Sequence, residues 1–328
     1  MRVPPLPPEV RERVAAEFRL GRVLDCRAVQ TGVMNLNWQF TTDRGTFAVK
    51  RLTDRPPEAV RAAQDLLPRL AAAGFPVAAP RKTIEGDALL RINDFRYAVN
   101  DWILGTHPTG ADLDLAACTA LGDLVGRLHR TLAELCPPAP AHLPDSPATV
   151  AGARAELERF ARLAEEPAEI TRRLALLDAV AGERPPDAEV GPCGWTHGDL
   201  NPLNLLVTGG RVTGLLDWDR LAVRPYGLEV VRTATILFSD GGRAALDLDR
   251  TAAFVRGYRA RVPITNGQLI DAADRRRWTL ATETWLLARR YDAGDTSLDR
   301  LVTARGEFLS WWTGHRARVS AALCAECS

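Results

Sequence analysis

The hydrophobic period of this chain changes once, at Ile103-Leu104-Gly105, and that change restricts what it can fold into. Before it, apolar residues come in short alternating runs over 24–31, 37–42, 46–52, 81–84, 88–92 and 96–103. Alternation of this length, broken by Gly32 and by the turn Asp43-Arg44-Gly45, predicts half-buried β-strands. Two helical stretches lie among them, over 9–19 and 58–73. In the second, Val60, Leu66, Leu67 and Leu70 share a face, Gly74 ends the run, and Pro68 is expected to kink or shorten it. After Gly105 the period is helical. Residues 111–134 place Leu115, Leu121, Leu124, Val125, Leu128 and Leu132 on one face. A proline-rich loop over 137–149 follows, then helices over 149–182. Two short strands, 205–207 and 212–216, turn at Thr208-Gly209-Gly210. Helices are expected over 227–238, 247–260, 267–291 and 296–320. The reading is an α+β fold. Residues 1–103 form a small antiparallel sheet with one helix inserted after the third strand, and residues 104–328 form a larger, mainly helical part.

Composition excludes several classes of function. The 328 residues are 46% apolar and 25% charged, enough for a core and ordinary for a globular chain. A net charge of +1 supplies no whole-molecule field toward nucleic acid or a membrane. No apolar run is long enough to span a bilayer, and the proline-rich residues 1–8 do not read as a signal peptide. Six scattered cysteines do not form a disulfide framework, and a cytoplasmic location is the expectation. Cys324 and Cys327 form a C-x-x-C that lacks a second ligand pair, so they are read as two reduced thiols. Nearly all the basic residues are arginine. The two lysines, Lys50 and Lys82, stand against that bias.

The chemistry concentrates in His197-Gly198-Asp199-Leu200-Asn201-Pro202-Leu203-Asn204 and in Leu215-Leu216-Asp217-Trp218-Asp219. Phosphoryl transfer asks a protein mainly to position groups and neutralise charge. It needs a carboxylate near the attacking hydroxyl, oxygen ligands for Mg²⁺, and a cation on the phosphates. Asp199 and Asn204 are five apart on a loop that opens onto a strand, with His197 two residues before the aspartate. That is the spacing of a kinase catalytic loop. Asp217 ends the second strand of the following hairpin, so its oxygens and those of Asn204 can converge on one metal. Lys50 ends Phe47-Ala48-Val49-Lys50 on the third strand, where a kinase lysine belongs.

This combination resembles the aminoglycoside phosphotransferase and choline kinase family, which also contains one type of homoserine kinase. The likeness runs from about Gly32 to about Tyr258 and includes Gly74-Phe75-Pro76-Val77, Trp102-Ile103-Leu104-Gly105, Leu121-Gly122 and Leu128-His129. It implies the protein-kinase-like two-lobed fold, with an N-lobe of residues 1–103 and a C-lobe of residues 104–328. It implies that Asp199 orients or deprotonates the acceptor hydroxyl and that Asn204 and Asp217 hold Mg²⁺. Lys50 would contact the α- and β-phosphates of ATP or GTP, and His197 would brace the loop. The segment 31–35, with Gly32 and Asn35, would cover the phosphates. The backbone around Asp101 and Ile103 would meet the purine. The expected partners are a small-molecule acceptor and a nucleoside triphosphate, with no nucleic acid and no membrane. The sequence leaves the acceptor, the choice of ATP or GTP and the oligomeric state undetermined.

Three features depart from the protein-kinase pattern. The phosphate-covering loop has a single glycine. No helix glutamate is evident for Lys50, which leaves Glu58, Gln64 and Asp65 as possible partners. Asn201-Pro202 replaces the lysine that follows the catalytic aspartate of protein kinases, and no A-P-E-like segment follows Asp217, which disfavours a protein substrate.

Structural readings stand beside these. His129 and Trp218 are expected to pack, and Glu229 to partner a helix start. Trp278, Trp285 and Tyr291 fall at helical spacing, as core or as an acceptor wall. The acidic and basic residues after 225 are mixed, which does not suit a polycationic antibiotic. The rival functions are a nucleotide-binding scaffold without turnover and a phosphohydrolase using His197, Asp199, Asp217 and His129.

Overall fold

The computed structural model describes residues 3–30, 35–53, 56–165, 167–239 and 244–324. The chain opens with α1 (Pro8–Glu17), then β1 (Val23–Val29), β2 (Leu36–Thr42) and β3 (Gly45–Leu52), then α2 (Pro57–Ala72) and the pair β4 (Leu90–Ile92) and β5 (Phe95–Asp101). The helical stretch begins with α3 (Leu115–Leu135), followed by β6 (Leu143–Asp145), α4 (Val150–Leu163) and α5 (Ala168–Val180). Five short strands come next: β7 (Ala188–Val190), β8 (Cys193–Thr196), β9 (Leu205–Thr208), β10 (Arg211–Leu215) and β11 (Ala222–Pro225). The chain closes with α6 (Tyr226–Leu237), α7 (Leu248–Arg259), α8 (Asn266–Thr282), α9 (Trp285–Tyr291), α10 (Asp299–Gly314) and α11 (Arg316–Leu323). A small antiparallel-sheet region is thus followed by a mainly helical one.

The chain divides into two compact units. The first is Met1–Pro108 with His197–Leu221, and the second is Thr109–Thr196 with Ala222–Ser328. The catalytic-loop hairpin β9–β10 therefore groups with the sheet, although it follows it in the chain by a long helical stretch.

In the first unit the five-stranded sheet has the order β1-β2-β3-β5-β4, antiparallel throughout. Side chains alternate across a strand, which gives β3 two different faces. Phe47 and Val49 join Trp38, Phe40, Tyr97 and Val99 and the α1 residue Val14 in one buried cluster. Trp38 Nε1 donates to the Pro4 carbonyl at 2.9 Å, which satisfies the one polar atom of that side chain. Leu52 lies on the opposite face, packed with Ala98, Leu89 and Val60 of α2. Lys50 shares the parity of Leu52 and is paired in register with Asn37 on β2 and Ala98 on β5.

Two expectations about this unit need correction. Residues 81–84 form no strand; Arg81 N donates to Val99 O at 2.8 Å and Thr83 N turns back to Asp87 O at 2.9 Å. A single rung beside Pro80, which has no N–H to give, does not extend into a ladder. Pro68 neither ends nor shortens α2; its ring sits on the exposed side of a helix that continues to Ala72.

In the second unit, the segments read as a proline-rich loop and as irregular chain contain strands. β6 pairs with β7, and β8 pairs with β11. The stretch 267–291 is two helices. Glu283 is extended, with φ −70° and ψ 134°, and separates α8 from α9. The reason is a buried arginine from elsewhere in the chain. Arg173 Nη2 donates to Leu280 O at 2.9 Å and to Glu283 O at 2.8 Å, taking carbonyls at the end of α8. The three aromatic residues of this stretch part company. Trp278 is buried and donates to Ala148 O at 2.8 Å, Tyr291 lies 5.8 Å from the Phe160 ring, and Trp285 is 39% exposed. The stretch 296–320 likewise divides, between α10 and α11 at His315.

Helices α3 and α7 cross at glycines. A Cβ on Gly122 would stand 1.9 Å from the Phe254 carbonyl oxygen, and one on Gly257 would stand 2.0 Å from that of Thr119. Neither contact can be relieved by turning a side chain, because the obstacle is backbone. Gly122→Ala is expected to destabilise the protein by about 3 kcal/mol, the upper end of the usual overpacking cost. A urea midpoint equal to that of the parent protein would show that the helices separate freely.

Candidate active site

The hairpin β9–β10 carries the loop that precedes it. At its head, His197 is fully buried. Its Nδ1 accepts from Asp199 N at 3.3 Å, and its Nε2 meets the Leu216 carbonyl at 2.9 Å. A carbonyl only accepts, so Nε2 bears the proton and the ring is the neutral Nε2–H tautomer. One imidazole therefore ties the start of the loop to the end of β10. Gly198 between them has φ +80°, and a Cβ there would fall 2.2 Å from the Arg220 carbonyl oxygen. The His-Gly-Asp order is a packing requirement at its middle position.

Asn204 closes the loop. Its Nδ2 donates to the Asp199 carbonyl at 2.8 Å and to Asp199 Oδ2 at 3.2 Å. The amide nitrogen faces the aspartate, which leaves Oδ1 as the atom able to serve a cation. Asn201 adds a bond to the same Asp199 carbonyl at 3.1 Å. The two ends of the hairpin are joined as well, since Leu216 N donates to Asn204 O at 2.9 Å. That bond brings Asn204 and Asp217 to the same end of the paired strands.

Asp217 has φ 59° and ψ 69°, the left-handed region, which a non-glycine residue occupies only when its surroundings hold it there. The short 3₁₀ turn Trp218–Arg220 follows, with Trp218 buried and donating to Leu215 O at 3.0 Å. Its ring lies 4.5 Å from that of His197.

Lys50 meets this turn. Its Nζ donates to Asp217 Oδ1 at 2.8 Å and to Asp219 Oδ2 at 3.1 Å. Burial works against the ammonium, but the two carboxylates more than reverse that and hold its pKa above the ordinary lysine value. Burial pushes Asp219 up, with Asp217 adding to the effect; at Asp217 burial is opposed by Lys50, His197 and the hydrogen bond with Asp219, which together pull it down. Asn35 joins the same cluster. It is buried, its Nδ2 donates to Asp219 Oδ2 at 3.0 Å, and its Oδ1 accepts from Thr53 N at 3.3 Å.

The structure thus brings Lys50, Asn35, His197, Asp199, Asn204 and Asp217 together within the first unit. Gly32 lies outside the described residues. Asp101 and Ile103 stand at the end of β5. Asp101 N is used by Ala79 O at 2.8 Å, and Trp102 N by Thr46 O at 3.0 Å. The Ile103 side chain lies against β10, where a Cβ on Gly214 would come within 3.3 Å of it.

None of the three helix residues suggested for Lys50 pairs with it. Gln64 and Asn100 exchange amide bonds at 3.2 and 3.0 Å, Asp65 pairs with Lys82 at 3.0 Å, and Glu58 stands in the first turn of α2 near Arg61. Asp219 takes the role that a helix carboxylate was expected to play. The sequence signal for it was the second acid of Asp217-Trp218-Asp219, two residues from a residue already singled out. No group of three or more His, Cys, Asp and Glu side chains forms a metal site among the described residues. Asn204 and Asp217 instead supply an amide and a carboxylate oxygen, the hard donors that suit Mg²⁺ when phosphates complete its shell.

In the second unit, His129 is buried with Nε2 2.7 Å from Glu229 Oε2 and Nδ1 3.0 Å from the Tyr258 hydroxyl, and it stacks on Tyr226 at 4.5 Å. This links α3, α6 and α7. Glu229 is in the first turn of α6, where a carboxylate also suits the helix dipole.

Residues 25–264 match the model of the phosphotransferase enzyme family known as APH. The chain belongs to this family. It is a small-molecule phosphotransferase that uses a hydroxyl acceptor. Curated relatives include a homoserine kinase of Methylobacillus glycogenes, 26% identical over 257 residues, covering 76% of this chain and 74% of the relative. A homoserine kinase of Pseudomonas aeruginosa is 28% identical over 265 residues, covering 80% and 79%. Among solved structures, the amicoumacin kinase hAmiN in complex with AMP-PNP and Ca²⁺ matches with a TM-score of 0.67 at 18% identity, covering 92% of both chains. A microcompartment-associated aminopropanol kinase matches with a TM-score of 0.63 at 17% identity, covering 96% of this chain and 99% of the other. These likenesses show the protein-kinase-like fold. No helix among the described residues is long and apolar enough to cross a membrane.

Removing the cation at this site would leave Asp217 and Asp219 facing each other. Lys50→Met is expected to destabilise the protein by about 2 kcal/mol, less than the roughly 3–5 kcal/mol of a fully buried pair because the Asp217 side chain is 35% exposed. Adding Asp219→Asn should recover part of the loss in chemical denaturation. A single variant as stable as the parent would remove the ion pairs from the account of the fold.

Proposed function

We propose that this protein transfers the γ-phosphoryl group of ATP or GTP, with Mg²⁺, to a hydroxyl of a small molecule. The observation that carries the reading is the Lys50 ammonium on Asp217 at 2.8 Å, which joins the third strand of the sheet to the hairpin bearing Asp199 and Asn204. Asp199 would accept a hydrogen bond from the acceptor hydroxyl and take its proton as the oxygen attacks the γ-phosphorus. The bond from that phosphorus to the bridging oxygen breaks, and the nucleoside diphosphate leaves. The bonds from Asn204 and His197 hold the Asp199 loop in one place, so little reorganisation is needed at the moment of transfer. Lys50 would bind the α- and β-phosphates with its charge maintained by Asp217 and Asp219. Asn204 and Asp217 would hold Mg²⁺, which when bound neutralises charge on the phosphates. Asn35 would fix the end of the phosphate-covering segment to Asp219, and the Ile103 N–H would serve the purine. The acceptor range supported by the relatives' names is antibiotics, amino alcohols and homoserine.

The rival readings lose their motives. The scaffold reading rested on the missing partner for Lys50, and Lys50 has two carboxylates. The phosphohydrolase reading required His129, both of whose ring nitrogens are engaged, by Glu229 and by the Tyr258 hydroxyl.

Nucleotide consumption is the first test, with ATP or GTP, Mg²⁺ and a panel of hydroxyl compounds. Acceptor-dependent release of nucleoside diphosphate is the expected result, whereas phosphate release indifferent to every acceptor would sink the reading. Asp199→Ala should lower kcat at least about a hundredfold with nucleotide affinity kept, as for loss of a positioned base. An unchanged kcat would take Asp199 out of the mechanism.

A further inference from the structure

The first unit contains a cavity of about 280 Å³ walled in part by Arg13, Arg61, Glu85, Asp87, Arg91 and Arg96. None of Lys50, Asp199, Asn204 and Asp217 lines it.

Two of its arginines are placed by the sheet itself. Arg91 on β4 and Arg96 on β5 are direct register partners. The side chains of such partners share a face of the sheet, and like charges directly opposite each other are destabilising. Their neighbours Leu90, Ile92 and Tyr97 take the other face, in the cluster that contains Val14. Strand pairing therefore fixes the stems of two guanidinium groups side by side. In the same register Leu52 is the partner of Arg96 and Ala98 that of Lys50, so these two apolar residues stand between Arg96 and Lys50.

The charges of the lining are unequally used. Arg61 is committed, since its Nε and Nη2 donate to the two carboxylate oxygens of Asp87, each at 2.9 Å. Arg91 gives only its Nε, to the Asn93 carbonyl at 2.9 Å. Arg13 and Arg96 make no ion pair or hydrogen bond through their side chains with any described residue. The carboxylates of Glu17 and Glu85, which also line the cavity, pair with none of the described residues either. The lining keeps one net positive charge, and Arg13, Arg91 and Arg96 have donors to spare.

Charge and shape decide which ligand fits. A cation would meet Arg91 and Arg96 together. A long polyanion would find one excess charge and would run against Glu17 and Glu85. A small anion set between Arg91 and Arg96 turns their repulsion into attraction. Guanidinium groups grip carboxylate and phosphate alike through paired hydrogen bonds. A carboxylate has two oxygens, whereas a phosphate monoester has three acceptor oxygens and a charge of about −1.5 to −2 at neutral pH. Three arginines with unused donors match the phosphate.

We propose that this cavity is a binding site for the phosphate group of a small molecule, held between Arg91 and Arg96 with Arg13 as the third donor. The site is separate from the phosphotransfer cluster and does not rest on that reading, and its test uses no nucleotide.

The test is calorimetry on the full chain at fixed ionic strength with inorganic phosphate, ethyl phosphate and succinate. The parent protein should bind a phosphate compound with a Kd of about 1 mM or lower. Arg96→Gln should weaken it at least about tenfold, the minimum for losing one charge-assisted bidentate contact, and Arg96→Lys should restore part of it. Arg91→Gln, at an exposed residue of the same cavity, should weaken it likewise. Melting temperatures separate binding from folding. Without phosphate, Arg96→Gln should melt at or above the parent, because one of two opposed charges is gone; with phosphate, the parent should gain more than the variant. Tighter binding of ethyl phosphate than of the free ion identifies a phosphate monoester as the ligand, and the reverse identifies inorganic phosphate; either supports the site. Succinate bound as tightly as phosphate overturns the proposal, as does no phosphate binding at about 10 mM. An isotherm unchanged in Arg96→Gln and Arg91→Gln places the ion elsewhere, on Lys50 for example, and overturns it too.

Discussion

The Lys50 ammonium between Asp217 and Asp219 is the constraint from which much of the first unit follows. A lysine on the helix-facing side of a sheet is tolerated only with charge beside it. Here the charge comes from a turn 167 residues away in the chain. For that turn to arrive, β10 must end at Leu215, Asp217 must adopt a left-handed backbone, and His197 must hold the Leu216 carbonyl from the other side. The groups that would handle phosphate are therefore the same groups that close the unit. Their stability and their chemistry draw on one set of charges.

What could be read in the sequence was what is local. The five-residue step from Asp199 to Asn204, the Phe47-Ala48-Val49-Lys50 strand and the acidic turn after β10 each depend on neighbours a few positions away. The change of period at Ile103 separated sheet from helices for the same reason. What escaped was set at a distance. The partner of Lys50 was sought on α2, the next element in the chain, whereas Asp219 is supplied by a turn beyond ten further helices and strands. The break between α8 and α9 has no punctuating glycine or proline, because Arg173 makes it from another helix. Residues 81–84 alternate like a strand, but Pro80 beside them cannot extend a ladder. Gly122 was visible as part of a motif, yet only the crossing with α7 explains why it is glycine.

The two units carry different kinds of electrostatics. In the first, two acids share one lysine, and the arrangement is compact and saturated with hydrogen bonds. In the second, arginines dominate, and most are committed to carboxylates or to helix ends. A chain whose basic residues are nearly all arginine gains rigid, planar donors that can cap a helix or grip a carboxylate, and gives up the adjustable ammonium. The Asp217–Asp219 cluster holds one of the two lysines in the protein, a compact point charge between two carboxylates.

The first unit is assembled from two segments of chain, Met1–Pro108 and His197–Leu221, with a large part of the second unit's helices between them. This bears on synthesis. A ribosome releases the sheet strands early, but Lys50 then has neither of its acids until Leu221 has emerged. Closing a loop of that length costs little more than closing a shorter one, since the entropy grows only with the logarithm of its length. What it costs is order in time. The sheet strands are made first, and the groups that would handle phosphate are all present only after α3 to α5 have been synthesised.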